Sequence, residues 1–135
     1  SAQKAKMVYG LELSESAISD AKINSSMNAV TNAEFFCVDL HKKQGDEALS
    51  TLPKADTVIV DPPRAGMNSN VIDLLLKTLP EQIIYVSCNP STQARDCALL
   101  SEQYTVAMMQ AADMFPHTKH VENIAFLLRK SPEVD

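Results

Sequence analysis

Residues 83–90 read Ile-Ile-Tyr-Val-Ser-Cys-Asn-Pro, and this is the strongest strand signal in the chain. Its β-branched and aromatic residues predict a buried strand, which the proline ends just after Cys88. Residues 57–60 read Thr-Val-Ile-Val and lead into Asp61 and Arg64 in the same way. Because ligands bind beyond the carboxyl ends of strands in open α/β sheets, Cys88, Asp61 and Arg64 are candidate site residues. The alternative for Cys88 is a small buried side chain in the core, which is the usual place of a free cysteine.

Strands and helices alternate along most of the chain. Residues 7–13 and 34–39 predict strands, and residues 14–29 predict a helix capped by Ser14. This alternation predicts a mostly parallel sheet with helices on both faces, and the last two strands, which no helix separates, predict an antiparallel addition at one edge. The helix over 14–29 is expected to turn Ala17, Ile18 and Ala21 inward. The other predicted elements are a short helix with loops over 40–52, a helix with Val71, Leu74, Leu75 and Leu79 on one face, a helix over 91–101, strands over 104–111 and 123–129, and a tail over 131–135.

The composition is that of an ordinary soluble domain. The chain has 135 residues, of which 45% are hydrophobic and 21% charged, and this suits one domain with its own core. Its apolar runs are too short to span a membrane, and no segment has the pattern of a signal peptide. Three cysteines without a C-x-x-C pair argue against a disulfide framework or a structural zinc site, so we expect a reducing compartment, the cytoplasm.

The net charge of −5 bears on any nucleic-acid partner. Proteins that bind RNA or DNA usually carry a basic surface for the phosphates. If this chain acts on a nucleic acid, most phosphate contacts are therefore expected to come from another part of the protein.

Three of the predicted strands end in an acid, namely Glu12, Asp39 and Asp61. Glu12 stands where doubly wound folds bind a ribose, since one carboxylate can accept hydrogen bonds from both ribose hydroxyls. Asp39, on the next strand, is suited to accept from an adenine amino group or an adjacent backbone N–H. For each acid alone, a helix cap or a solvated loop end is the alternative. The three acids in series favour a nucleoside cofactor.

The glycines are placed differently from those of a complete nucleotide-binding fold. Such folds need a glycine turn after the first strand, so that the backbone can approach the cofactor. The chain has Gly10, Gly45 and Gly66, and none lies in such a turn ahead of Glu12. We therefore expect the first strand and its glycine loop to lie upstream of Ser1, in a longer protein.

Three motifs, in this order, resemble one enzyme family. Residues 61–66 read Asp-Pro-Pro-Arg-Ala-Gly, residues 86–90 read Val-Ser-Cys-Asn-Pro, and residues 113–122 read Asp-Met-Phe-Pro-His-Thr-Lys-His-Val-Glu. Together with Gly-Leu-Glu at 10–12, the set resembles the S-adenosylmethionine-dependent RNA uracil-5-methyltransferases. That family makes 5-methyluridine in transfer RNA and in large-subunit ribosomal RNA. The resemblance covers residues 7–130.

The resemblance implies a fold and a cofactor. The fold is α/β, a Rossmann-like class I methyltransferase sheet without its first strand and glycine loop, and residues 1–130 are the C-terminal part of the catalytic domain. The cofactor is S-adenosylmethionine, with Glu12 and Asp39 contacting its ribose and adenine and Asp61 between cofactor and target base. Family members also carry an upstream glycine-rich loop and usually an N-terminal OB-type domain that binds RNA. Any iron–sulfur site would lie upstream, and no metal ligands are assigned in this chain.

The resemblance also implies catalytic roles. Cys88 would be the nucleophile that adds to C6 of the target uracil, and Glu122 the base that later removes the C5 proton. Asp61 and Arg64 would support the site, with the Arg64 cation favouring the thiolate of Cys88. The RNA would be ribosomal or transfer RNA, and the motif at 113–122 favours the ribosomal substrate.

Three other functions fit part of the pattern. His117 and His120 suit a hydrolase in which an imidazole activates Cys88, although the Asp-Pro-Pro-Arg segment then has no role. An amino methyltransferase of adenine or guanine also uses an acid-Pro-Pro segment and needs no cysteine. A non-catalytic fragment or interaction module is the third, since without a central strand the edges near Met7 and Thr57 would be unpaired. Unpaired edges predict low solubility or oligomerisation.

Overall fold

The computed structural model describes residues 2–40, 51–114 and 121–131. The chain forms two compact units, Ser1–Leu52 and Pro53–Asp135. Both combine β-strands with α-helices. Within the described ranges, no helix is long and apolar enough to cross a membrane.

The first unit is a parallel strand pair with one helix. A short 3-10 helix at Ala2–Lys4 precedes β1 (Val8–Glu12), α1 (Glu15–Met27) and β2 (Ala33–Cys37). β1 and β2 pair in parallel along their whole length. The two strands therefore deliver their carboxyl ends to the same edge.

Helix α1 begins close to where the sequence predicts. Ser14 is its N-cap, and the side-chain oxygen accepts from the Ala17 N–H at 3.3 Å. Of the three residues predicted to face inward, Ile18 is buried and Ala21 half-buried, whereas Ala17 is exposed. The prediction is wrong for Ala17 because this residue lies in the first turn, beside the exposed cap.

The second unit is a four-stranded sheet with two helices. Strand order is β3-β4-β6-β5. β3 and β4 are parallel, whereas β6 runs antiparallel to both of its neighbours. The elements are β3 (Thr57–Val60), α2 (Ser69–Thr78), β4 (Gln82–Ser87), α3 (Pro90–Leu100), β5 (Tyr104–Ala112) and β6 (Glu122–Arg129).

The predicted antiparallel addition is present, and the structure refines its position. The edge strand β5 does pair in an antiparallel manner with its neighbour. The strand that is reversed relative to β3 and β4, however, is β6, which lies one position inside the edge. β6 reaches this place because the chain reverses after β5 and returns between β5 and β4.

The core of the second unit lies on one face of its sheet. In β4, Ile83, Tyr85 and Ser87 are buried, and the residues between them are half-buried. β6 alternates in the same way. An apolar cluster joins the buried face to α2 and α3; its members are Met67, Ile72, Leu75, Ile83, Tyr85, Leu100, Tyr104, Ala125 and Leu127.

The predicted helices and strands otherwise agree with the structure to within a few residues. In α2 the predicted Leu75 is buried, but Ile72 is the second deeply buried residue, and Val71, Leu74 and Leu79 are half-buried. Most of the helix predicted over 40–52 and of the tail over 131–135 lies outside the described residues. In the part of the chain that the structure describes, β1 pairs only with β2 and β3 only with β4, so one edge of each has no strand partner there.

Candidate active site

Cys88 follows the last residue of β4 and directly precedes α3. The strand ends there because Asn89 is the N-cap of α3, with its Oδ1 accepting from the Ser91 N–H at 3.2 Å, and Pro90 is the first helical residue. The Cys88 side chain is a free thiol and is half-buried. A strand end followed at once by a capped helix holds this thiol at a defined edge of the sheet.

Glu122 reaches the same edge through the pairing of β4 with β6. The antiparallel ladder runs to Ser87 opposite Asn123. On the β4 side the next residue is Cys88, which lies just past the end of the strand, and on the β6 side the preceding residue is Glu122, the first residue of that strand. The thiol and the carboxylate thus lie at the same end of the β4–β6 strand pair, each one residue from its last ladder pair.

Asp61 and Arg64 lie on the loop that follows β3. The Arg64 carbonyl accepts from the side-chain amide of Asn89 at 3.2 Å and from the hydroxyl of Thr92 at 3.3 Å. Both donors belong to the segment directly after Cys88. The side chains of Asp61 and Arg64 are exposed. The loop backbone is thus fixed to the segment that carries the thiol, while its two charged side chains face solvent.

A buried carboxylate, Asp96 of α3, fixes the far end of this loop. It accepts from the Met67 N–H at 2.8 Å and from the Tyr85 hydroxyl at 2.7 Å, and its side chain is fully buried. Arg95 donates to its other oxygen, through Nε at 2.9 Å and Nη2 at 2.6 Å. Gly66 has a φ of +85°, and a Cβ there would lie 2.6 Å from both Arg95 Nη2 and Asp96 Oδ2. Only glycine fits this turn.

The surroundings of Asp96 change the acidity of two neighbours. Burial raises the pKa of Tyr85 well above its ordinary value, and the hydrogen bond to Asp96 raises it further. Burial also raises the pKa of the Cys97 thiol, and the charge of Asp96 adds to this effect. A thiol that resists ionisation is a poor nucleophile, so Cys97 is a weak candidate beside Cys88.

A second buried polar pair joins α3 to β4 and β6. Gln93 is fully buried, and its Nε2 donates to the Tyr85 carbonyl at 2.9 Å and to the Asn123 carbonyl at 3.2 Å. The Asn123 side-chain amide donates in turn to Gln93 Oε1. Within the described residues, every buried side-chain nitrogen and oxygen has a hydrogen-bond partner. Gln93, Asp96 and Asn123 were not predicted from the sequence; the available signal is the helical spacing of Gln93 and Asp96 with the buried Leu100.

The two predicted cofactor-binding acids lie together in the first unit. Glu12 ends β1 and is exposed, and its Oε1 accepts from the Ser14 N–H at 2.9 Å. Cys37 ends β2 opposite Glu12, and the Val38 N–H donates to the Glu12 carbonyl at 2.9 Å. Asp39 is the next residue. Glu12 and Asp39 therefore stand at the carboxyl ends of adjacent parallel strands, where α/β folds bind their ligands.

Part of the predicted site lies outside the described residues. His117 and His120, on which the hydrolase hypothesis depends, fall within residues 115–120. That hypothesis stays a prediction. Of the motif at 113–122, the structure describes Asp113 and Met114, both exposed, and the last two residues.

Comparison with known proteins shows which family this chain is similar to. The sequence model of the tRNA (uracil-5-)-methyltransferase family matches residues 1–130. An uncharacterized RNA methyltransferase of Bacteroides thetaiotaomicron is 46% identical, over 93% of this chain and 28% of its own length. Another, of Porphyromonas gingivalis, is 44% identical over 96% of this chain and 28% of its own length. The chain thus spans little more than a quarter of the curated relatives it matches.

Solved structures agree with the fold. The tRNA (uracil-54, C5)-methyltransferase of Pyrococcus abyssi, in complex with S-adenosyl-L-homocysteine, matches with a TM-score of 0.79 and 40% identity, over 94% of this chain and 30% of that chain. An rRNA methylase of Streptococcus thermophilus matches with a TM-score of 0.71 at 12% identity, over 96% of this chain and 77% of that chain, which shows the fold alone. The predicted class I methyltransferase fold is confirmed. Because the family model covers nearly its whole length, the chain belongs to the tRNA (uracil-5-)-methyltransferase family.

Proposed function

We propose that this chain is the catalytic segment of an RNA uracil-5-methyltransferase, which transfers a methyl group from S-adenosylmethionine to C5 of a uridine in RNA. The β4–β6 ladder, whose last pair lies one residue from both Cys88 and Glu122, supports the proposal. The reaction needs a nucleophile and a base acting on one pyrimidine ring, and we assign these roles to Cys88 and Glu122. Membership of the family supports the reaction class. Residues 1–130 are then the C-terminal part of the catalytic domain.

Cys88 begins the reaction in this proposal. C5 of uracil is a weak nucleophile, and the thiolate of Cys88 overcomes this by adding to C6. The new S–C6 bond moves the C5=C6 electron pair towards the C4 carbonyl and gives an enolate whose C5 is nucleophilic. One difficult step becomes two easier ones. A thiolate suits this role because it is strongly nucleophilic and can also leave again.

Glu122 completes the reaction. After C5 has received the methyl group, the carboxylate takes the C5 proton. The electron pair of that C–H bond re-forms C5=C6, the S–C6 bond breaks, and its electrons return to the sulfur of Cys88. General bases of this kind contribute about 10²–10⁴-fold to the rate. The half-buried place of Glu122 at the start of β6 suits such a transfer.

Asp61 and Arg64 act from the loop after β3. Their side chains are exposed, while the loop backbone is fixed to Asn89 and Thr92. Asp61 is assigned to the space between the methyl donor and the target base. Arg64 supplies a positive charge that favours the thiolate of Cys88.

The cofactor assignment rests on Glu12 and Asp39. When bound, S-adenosylmethionine supplies a methyl group carried on a positively charged sulfonium. The two acids fit its nucleoside, because carboxylates accept from the ribose hydroxyls and the adenine amino group and stand on adjacent strand ends. Glu12 is also oriented, since its Oε1 accepts from the Ser14 N–H.

The proposed substrate is a class of RNA, either ribosomal or transfer RNA. With a net charge of −5, the chain leaves most phosphate contacts to other regions of a protein of the relatives' length, such as an OB-type domain. The motif at 113–122 favours ribosomal RNA, and transfer RNA is the other substrate to be tested. The target nucleotide must leave its stack to reach Cys88. We place the reaction in the cytoplasm, and we propose that unpaired strand edges promote self-association of the isolated chain.

The test uses RNA with 5-fluorouridine in place of uridine. A protein of the relatives' full length that contains residues 1–135 is incubated with S-adenosylmethionine and transcripts of transfer RNA and large-subunit ribosomal RNA. Fluorine at C5 cannot be removed as a proton, so the covalent adduct accumulates. Mass spectrometry of the digest is expected to find the nucleotide on Cys88, and the attached RNA fragment identifies the substrate.

Two cysteine variants make this test specific. Cys88→Ala is expected to lose the adduct and the methylation of ordinary RNA, whereas Cys97→Ala keeps both, because Cys97 packs against the core. If the folded, cofactor-binding protein forms no adduct, the uracil-5 mechanism is wrong. Methylation that survives Cys88→Ala would instead indicate an amino methyltransferase.

A further inference from the structure

Gln93 is a buried polar side chain on α3 to which the proposed reaction gives no role. We propose that Gln93 is a positioning residue for Glu122 and thereby controls how fast the covalent Cys88–RNA adduct is resolved. This inference rests on the function proposed above.

Gln93 acts where the sheet ends. Its side-chain amide donates to the Tyr85 carbonyl on β4 at 2.9 Å and to the Asn123 carbonyl on β6 at 3.2 Å. The pair of Ser87 and Asn123 is the last one in the β4–β6 ladder. Gln93 therefore joins β4 at Tyr85, three residues before Cys88, to β6 at Asn123, the residue directly after Glu122.

Because Gln93 is buried, its amide needs hydrogen-bond partners inside the protein, and these partners show which groups it holds in place. Its side chain is 0% exposed, as is that of Leu100 on the same face of α3. A buried amide costs free energy unless its polar atoms are paired, and an apolar residue such as Leu100 has no such requirement. Both polar atoms of the Gln93 amide are paired, and all their partners belong to β4 or β6. A satisfied buried network of this kind fixes one arrangement of the groups it joins.

The geometry affects Glu122 more than Cys88. Asn123 faces the buried side of the sheet and is held by Gln93 through both its carbonyl and its side chain. Glu122 is the adjacent residue, so a shift of the Asn123 backbone moves it directly. On β4 the bond from Gln93 is to Tyr85, three residues before Cys88, and Cys88 also runs into the N-cap of α3, a segment bonded to the loop carbonyl of Arg64. Glu122 keeps its pairing with Ala112 of β5, but Gln93 is bonded to the residue next to it. Loss of Gln93 is therefore expected to disturb the base and to spare the nucleophile.

Cys88 and Glu122 act in different steps of the proposed reaction, so the rates of adduct formation and of adduct resolution can be measured separately. Addition of the Cys88 sulfur to C6 forms the adduct. Transfer of the C5 proton to Glu122, with re-formation of C5=C6 and cleavage of S–C6, resolves it. Displacing a reacting group by about 1 Å can slow a step about 10²-fold. For a smaller displacement we expect Gln93→Met to slow resolution roughly 10-fold, less than the loss of the base itself.

The experiment separates the two steps in a protein of the relatives' full length. With 5-fluorouridine transcript, the rate of adduct formation on Cys88 is measured alone, and Gln93→Met is expected to match wild type. With the ordinary uridine transcript in a single turnover, the variant is expected to accumulate the adduct and release methylated RNA more slowly. The matched control is Gln82→Met, the same change at the other end of the β4–β6 ladder.

The outcomes are distinguishable from failure of the proposed function. If wild type forms no adduct on Cys88, the proposed function is wrong and this inference with it. If wild type forms the adduct but Gln93→Met slows formation and resolution equally, Gln93 has only a structural role and the inference is overturned. Should Gln93→Met not fold, Asn123→Ala serves instead, because it removes the side-chain bond that holds Asn123 to Gln93 and introduces no charge into the core. Unchanged resolution in that variant would equally overturn the inference.

Discussion

The two groups of candidate site residues are supported in different ways. Cys88, Glu122 and the loop at 61–64 stand on a sheet whose opposite face carries an apolar cluster and two buried polar networks. Glu12 and Asp39 stand on a two-stranded sheet with one helix, in a unit where Ile18 is the buried hydrophobic residue among those described. The candidate catalytic residues thus rest on an apolar core, and among the described residues the candidate cofactor-binding acids rest on local contacts.

This difference follows from what each group must do. Bond formation requires the reacting atoms to meet at about 3–3.5 Å with aligned orbitals, so a nucleophile and a base need firm positions. A carboxylate that accepts hydrogen bonds from hydroxyl groups tolerates a broader range of positions. Under the proposed function, the apolar core lies behind the residues that are assigned to make and break bonds.

The largest effect is expected from the base. Glu122→Gln should lower turnover by about 10²–10⁴-fold, because the amide cannot take the C5 proton. The adduct should accumulate on ordinary uridine RNA, which single-turnover assays with mass spectrometry detect. Glu102→Gln, an exposed residue after α3, is the control and should behave as wild type. Normal turnover in Glu122→Gln would remove this residue from the mechanism.

The next effect compares the two cores. Leu75 is 2% exposed within the apolar cluster, and Leu75→Ala should lower the free energy of unfolding by about 2–5 kcal/mol. Ile18→Ala should cost less, about 2 kcal/mol, because among the described residues of the first unit no other hydrophobic residue is buried. Urea unfolding of both variants measures the difference. Equal losses of unfolding free energy would show that Ile18 contributes as much to stability as Leu75 does.

A smaller effect concerns the Asp96 network. Tyr85→Phe removes the hydroxyl bond to Asp96 and should cost about 1–3 kcal/mol of unfolding free energy at neutral pH. The raised pKa of Tyr85 means that the folded state keeps the phenol protonated. This contribution is complete below the ordinary tyrosine pKa of 10.0 and is lost as pH rises above it. Tyr85→Phe should therefore lose stability less steeply than wild type above pH 10.0, by up to about 1.4 kcal/mol per pH unit.

Urea unfolding at a series of pH values from neutral to alkaline checks this prediction. Tyr104 serves as the internal reference, because burial raises its pKa as well and it stays in both proteins. Parallel stability curves for Tyr85→Phe and wild type above the tyrosine pKa would contradict the assigned role of the buried phenol.

The smallest effect is expected at the cofactor acids. Glu12→Gln replaces charge-assisted hydrogen bonds to a ribose by neutral ones, and this should weaken binding of S-adenosylhomocysteine about 10-fold. Calorimetric titration of a protein of the relatives' full length measures the affinity, with Glu15→Gln in the first turn of α1 as control. Adduct formation at saturating S-adenosylmethionine should be unchanged. If Glu12→Gln binds S-adenosylhomocysteine as tightly as wild type, Glu12 does not contact the cofactor.

The sequence predicts the positions of functional side chains better than the network behind them. The strand ends at Cys88 and Asp61 follow from β-branched runs stopped by proline, which is local information. How close Glu122 lies to Cys88 depends on the register between distant strands, and the sequence indicates only that both reach one edge. Gln93 and Asp96 were missed because the helix pattern identifies apolar residues as inward, and buried polar residues become recognisable only when their partners are known.

The inward position of β6 could not be predicted for a similar reason. Two final strands without a helix between them indicate an antiparallel pair, but either strand of such a pair can border the sheet. β6 lies beside β4 through the apolar contacts of Ala125 and Leu127, which reach the same buried face as Ile83 and Tyr85.

The alternation along β4 has a consequence for how this sheet can change during evolution. Odd-numbered residues from Ile83 to Ser87 are buried in the interior, whereas Cys88 lies beyond the end of the strand and is half-buried. A substitution at position 88 therefore leaves these interior side chains unchanged, so a lineage can exchange this thiol and keep its architecture.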